Sequence, residues 1–112
     1  MIEELIFNYL TYHLSAPVYT SVPADKPEEY FTIEKTGGGI NEKIPQATIT
    51  VQAYAKTKYK ASLLISEANA AMIDGLIALD EVSDVYLNGS YDYTDTETKR
   101  PRYQSVFVIT HY

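Results

Sequence analysis

The first thirteen residues carry apolar side chains every three or four positions. Ile2, Leu5, Ile6, Tyr9 and Leu10, with His13, fall on one face of a predicted helix over 2–13. Glu3 and Glu4 sit in its first turn, where carboxylates favour the positive end of the helix dipole, and Pro17 stops its continuation. The period then changes to two. Residues 18–22 predict a short strand, and Pro23 to Glu29 a loop in which Pro23 and Pro27 offer no backbone donor. Over 29–36, Phe31 and Ile33 face one way and Tyr30, Thr32 and Glu34 the other. The triple glycine Gly37-Gly38-Gly39 breaks that run. Alternation resumes over 46–55, with Ile49, Val51, Ala53 and Ala55 on the apolar side. Two strands joined by a glycine-bearing loop of about ten residues predict an antiparallel hairpin.

Helical spacing returns near Thr57 or Lys58 and lasts to about Leu79, with Thr57 as the expected N-cap. Ala61, Leu64, Ile65, Ala68, Met72, Gly75, Leu76 and Leu79 make one face, expected to lie on the sheet. Leu63, Ala70 and Ile77 recur every seven residues on the far side, with Ile73 beside them and Glu67 and Asp74 flanking. A helix that is apolar on two sides requires two partners. The far stripe is covered either by the first helix or by another copy of the chain, with Ala70 and Ala71 permitting close approach.

"DEVSD" is expected to end the helix. Residues 85–93 and 102–112 then form a second hairpin around the polar "TDTETKRP". The expected order is α-β-β-β-α-β-β. That is an α+β domain over residues 1–112, with two helices packed on a mostly antiparallel sheet of four to five strands.

Composition changes this picture little. With 112 residues, 46% apolar and 21% charged, the chain is long enough for one core. There is no cysteine, so neither disulfides nor thiolate ligands are expected. "MIEELIFNYLTYHL" opens with acids and is not expected to be a secretory signal. No apolar stretch is expected to approach the roughly 20 residues of a bilayer span, and no membrane partner is expected. The net charge of −6 argues against nonspecific nucleic-acid binding. Lys56, Lys58 and Lys60, and Lys99, Arg100 and Arg102, are read as solvated clusters near turns.

Candidate chemistry is thin. A phosphate loop needs a strand, a glycine turn and then a helix N-terminus. Here Pro45 and a strand pattern follow the glycines, and Lys35 precedes them. The glycines are therefore expected to permit positive φ in a bending hairpin loop, one able to lie against a neighbouring subunit. His13 is expected to be half-buried on the helix stripe. Ser62, Ser66, Ser83, Ser90 and Ser105 lack a nucleophile-elbow context, and Asp92, Asp95 and Glu97 fit no calcium-loop spacing. No catalytic, metal or cofactor residues are assigned, and the chain reads as non-enzymatic. Eleven tyrosines in a chain without tryptophan lend some weight to an interface.

Three stretches then carry a family resemblance. "FTIEKTGGGIN", "ATITVQAYAKTKYKASLLISEA" and "KRPRYQSVFVIT" resemble the small tail-completion or tail-terminator proteins of long-tailed bacteriophages and prophages. The likeness covers most of the chain from Phe31 on. It rests on Glu34 to Gly39, on Gln52 to Tyr54 before the alanine-rich helix, and on Pro101-Arg102-Tyr103. The resemblance implies a structural subunit that forms a ring, usually a hexamer, at the head-proximal end of the tail tube. That ring ends tail assembly and joins tail to head. The implied partners are further copies of the chain, the major tail tube protein and a head-completion or neck protein. DNA passes only through the lumen. The implied location is the virion tail or neck, reached from the host cytoplasm during assembly. Leu63, Ala70, Ile73, Ile77 and Gly37, Gly38 and Gly39 are the expected subunit-interface residues. The alternative is a small anion- or nucleotide-binding module built on the Gly37–Gly39 loop and the lysines at 56–60.

Overall fold

Strand β3, from the middle of the chain, lies at the centre of a five-stranded sheet ordered β1-β2-β3-β5-β4. A computed structural model describes residues 2–41 and 44–112. Its elements are α1 (Ile2–His13), β1 (Val18–Tyr19), β2 (Tyr30–Asn41), β3 (Ile44–Tyr54), α2 (Lys58–Ala70), β4 (Val82–Asp92) and β5 (Arg102–His111). The fold is α+β in the expected order, and the sheet is mixed. β1 runs parallel to β2, and the other pairs are antiparallel.

Register explains the core. Phe31 lies opposite Ala53 and Ile33 opposite Val51. Ile49 lies opposite Phe107 and Ala47 opposite Ile109. A period of two puts all of these on one face of the sheet, where they are buried. Both helices cover that face. Ile2, Ile6 and Leu10 come from α1; Ala61, Leu64, Ile65 and Ala68 come from α2; Met72 and Leu76 follow. Each large aliphatic chain buried there contributes about 1.5–3 kcal/mol.

Helix α2 starts as expected: the Thr57 hydroxyl accepts from the Lys60 amide at 3.1 Å. It does not run on regularly to Leu79. After Ala70 the backbone loosens into a π turn, Ala71–Gly75, and then tightens into a 3₁₀ turn, Leu76–Ala78. Tyr9 of α1 sits at this irregularity. Its hydroxyl donates to the Ala71 carbonyl at 3.1 Å, and a Cβ on Gly75 would collide with the same hydroxyl. Insertion of a side chain into the helical ladder is a recognised cause of such bulges. The whole run Lys58–Ala78 is long and apolar enough to cross a bilayer by length and composition, which overturns the sequence expectation on that point. In this fold its apolar face is part of the core.

The glycine run departs most from expectation. It is strand, not a ten-residue loop. Gly37 pairs with Thr48, Gly38 with Ala47, Gly39 with Gln46 and Asn41 with Ile44, after a bulge between Lys35 and Gly37. No glycine adopts positive φ. β3 supplies a pairing partner at each step, and those backbone bonds outweigh the roughly 0.5–1 kcal/mol that each strand glycine costs. Positions 42 and 43 of the expected loop lie outside the described residues. The glycines named for the alternative anion-binding reading therefore lie in a paired strand and not in a loop. Other boundaries move less. β1 is two residues rather than five, and β4 begins at Val82, which is buried and pairs with His111. Bulges between Val82 and Asp84 and between Leu87 and Gly89 bend β4.

Candidate functional site

The far stripe of α2 is left uncovered. Leu63 is 46% exposed and Ile73 and Ile77 are each 42% exposed, and Ala70 is also exposed. The first helix does not shield them. It lies beside the π turn through Tyr9 and is tied at its far end by Glu67, whose carboxylate accepts from the Ser15 hydroxyl at 2.8 Å and the Ser15 amide at 3.3 Å. Of the two coverings weighed from sequence, the intramolecular one is therefore excluded. Tyr59, 74% exposed and one helical turn before Leu63, extends the stripe. Sequence reasoning missed it, although the four-residue spacing was available. The structure does not gather Gly37, Gly38 and Gly39 to this stripe. α2 packs over β3 and β5, whereas the glycines lie in β2 toward the hairpin end.

Among the described residues two sheet edges are open. β1 pairs only with Phe31 and Thr32, so from Ile33 to Asn41 no strand borders that side of β2 among the described residues. β4 is the other edge along its whole length.

The sheet face away from the helices carries a second feature, one the sequence reading did not find. Tyr30 and Tyr54 are cross-strand partners, stacked at 4.5 Å between ring centroids and 9° between planes. Both are buried, although they lie on the face that the alternation marks as outward. The covering comes from the loop between β4 and β5. The Arg100 guanidinium lies 5.4 Å from the Tyr30 centroid and donates to the Pro27 and Glu28 carbonyls at 3.3 and 3.4 Å. Arg102 lies 4.6 Å from the Tyr93 centroid and 5.8 Å from that of Tyr54, and its Nε donates to the Tyr93 carbonyl at 2.7 Å. These two arginines, read from sequence as solvated, are packed on aromatic faces. Only Lys99 of that cluster is exposed, and it is the one non-glycine residue with positive φ among those described, at 58°. Burial pushes the Tyr30 phenol up from its ordinary value, with Arg100 opposing.

The loop is shaped by its own carboxylates. Asp92 Oδ1 accepts from the Thr94 hydroxyl at 2.6 Å and the Thr94 amide at 2.9 Å. Asp95 accepts from the Glu97 amide at 2.9 Å and the Thr98 hydroxyl at 3.0 Å. These bonds hold both carboxyls below the ordinary carboxylate value; for Asp92 the Thr94 hydroxyl contributes most, for Asp95 the Glu97 amide. They are turn-forming acceptors rather than merely solvated charges.

Among the other candidates, His13 is exposed against the Tyr9 and Tyr12 rings rather than half-buried. Ser105 is buried and donates to Asn69 Oδ1 at 2.6 Å, joining β5 to α2 through a network that includes Ser90. Among the described residues no group of three His, Asp or Glu side chains lies close enough to hold a metal ion. Lys58 and Lys60 pair with Asp92 and Glu29 at 3.3 and 3.8 Å. No protein-family model matches the chain, and no curated protein matches it.

Proposed function

We propose that this chain is a structural subunit that assembles with copies of itself into a ring. Its place is the head-proximal end of a phage tail tube, where the ring ends tail assembly and joins tail to head. The observation that carries the assembly reading is the uncovered stripe Tyr59, Leu63, Ala70, Ile73 and Ile77 along one helix. Exposed apolar side chains in a row mark interaction surfaces more often than scattered ones do. The two free sheet edges differ from each other, which suits a head-to-tail contact in which one patch meets a different patch on the next copy. Glycines in an edge strand also permit close approach by another backbone, which keeps Gly37, Gly38 and Gly39 at the proposed interface. The tail-end location rests on the resemblance carried by the residues from Phe31 on.

The test combines substitution with sizing. Leu63→Glu and Ile77→Glu each alter a position just over half covered, so each is expected to cost the monomer about 1 kcal/mol and to leave it folded. Light scattering across concentration, and electron microscopy of tail tubes mixed with the protein, should show rings or capped tubes for the parent chain and neither for the variants. Variants that cap tubes as well as the parent would overturn the reading.

A further inference from the structure

Where β2 begins and β3 ends, a pocket of about 140 Å³ is lined by Tyr30 and Tyr54 together with Lys26, Asp95, Arg100 and Arg102. Three cations face one carboxylate there, in a chain whose net charge is −6. That carboxylate is already engaged: one Asp95 oxygen accepts the Glu97 amide and the other the Thr98 hydroxyl. Among the described residues neither arginine forms an ion pair, although acidic side chains outnumber basic ones by 15 to 9. Both guanidinium groups are nonetheless fixed, by ring stacking and by bonds to backbone carbonyls. Such preorganisation lowers the entropic cost of accepting a ligand. The Tyr30 hydroxyl and Arg100 Nε meet no partner in hydrogen-bond geometry, but both are sealed from solvent and the phenol sits against the Arg100 guanidinium, so the pocket's open wall is made by the rest of the two guanidinium groups.

We propose that this pocket is a binding site for a single carboxylate group. Its volume fits one small group, whereas pockets for whole cofactors and nucleotides run to about 300–1,000 Å³. Charge asks for an anion, since three cations outnumber Asp95 on the wall, and a carboxylate is the anion that the chain itself carries in excess. The guanidinium fork of Arg102, of which only Nε is engaged, matches the two oxygens of a carboxylate. The carboxylate is either a free small acid or an acidic side chain of a second copy. The site stands without the ring reading, since a free acid fills it equally well.

The experiment follows the Arg100 and Arg102 Nε–H resonances by ¹⁵N NMR in the full chain. In one arm sodium acetate replaces sodium chloride at constant ionic strength. In the other, protein concentration is raised from micromolar to millimolar in acetate-free buffer. Saturable movement with acetate alone assigns a free acid. Movement with protein concentration, reversed by acetate, assigns a second copy. Arg102→Gln should weaken the acetate response about tenfold or more, the loss expected for a charge-assisted bond. Tyr30→Phe, which keeps the stack, should weaken it less. Resonances that stay fixed in both arms overturn the proposal, as does tighter binding of phosphate than of acetate. Rings that form while acetate has no effect would sink the pocket and leave the assembly reading standing.

Discussion

At the residue scale, Gly75 shows how one missing methyl group positions two helices. Its conformation is negative in φ, so an alanine is permitted there on backbone grounds alone. Helix propensity would even favour the change by about 1 kcal/mol. The neighbour decides otherwise: the Tyr9 hydroxyl occupies the space a Cβ needs, and it is bonded to Ala71. Gly75→Ala therefore forces the ring aside and strands a carbonyl contact. Overpacking of this kind costs about 1–3 kcal/mol, which outweighs the propensity gain in most of that range. A net loss near 1 kcal/mol lowers Tm by about 4 °C in a domain of this size. Tyr9→Phe removes the obstructing atom, so the double variant should be less destabilised than the sum of the single ones, with coupling readable in a urea double-mutant cycle. Additive losses, or a gain in stability from Gly75→Ala alone, would contradict this account of the helix junction.

At the element scale, the loop between β4 and β5 illustrates what the sequence could and could not disclose. Alternation placed Tyr30 on the outward side of its strand, and that placement is right. Its burial was illegible, because the cover is Arg100, some seventy positions away in the chain. The glycine run misled for a related reason. Three glycines signal a turn when read locally, yet strand pairing with Thr48, Ala47 and Gln46 overrides local preference. Conversely, both hairpins and the buried face of α2 were legible, since period alone identifies a face that must be covered. The far stripe was also legible, but its covering was not, because that depends on where α1 docks. The loop also makes a pH prediction. The Asp92 and Asp95 carboxyls are held below their ordinary 3.8 in the folded state. A depressed carboxyl adds order that is fully present above the unfolded value and is lost as pH falls through the folded one. The Thr94 and Glu97 amides should thus keep their shifts from neutral pH down to about 4 and lose them only below it, with midpoints under 3.8. Asp95→Ala should abolish the Glu97 transition and leave that of Thr94. Midpoints at or above 3.8 for both amides would refute the assignment.

At the scale of the whole molecule, magnitudes set the conditions for the proposed assembly. Leu63, Ile73 and Ile77 are already more than half covered. Burying what remains yields about 1 kcal/mol each, under half of the 1.5–3 kcal/mol for full burial. Association costs about 4–15 kcal/mol in lost freedom of motion. The stripe alone therefore does not hold a ring together; strand edges, a filled arginine pocket or a template must supply the remainder. For the proposed ring this predicts a chain that is monomeric when dilute and assembles only on a template or at high concentration. Charge opposes assembly further, because every copy brings a net −6. Salt distinguishes the contributors. Between 0.1 and 1 M the screening length falls from about 10 to about 3 Å, which removes repulsion between copies and weakens ion pairs alike. If apolar contacts and backbone pairing dominate, the concentration at which rings form should fall as sodium chloride is raised. If carboxylates seated against Arg100 and Arg102 dominate, it should rise. The stripe, the edges and the overall charge outweigh one pocket per copy, so the expected direction is a fall. Light scattering that showed rings dissolving with salt would transfer the main contact to the arginine pocket, and Arg102→Gln should then abolish assembly while Ile77→Glu spares it.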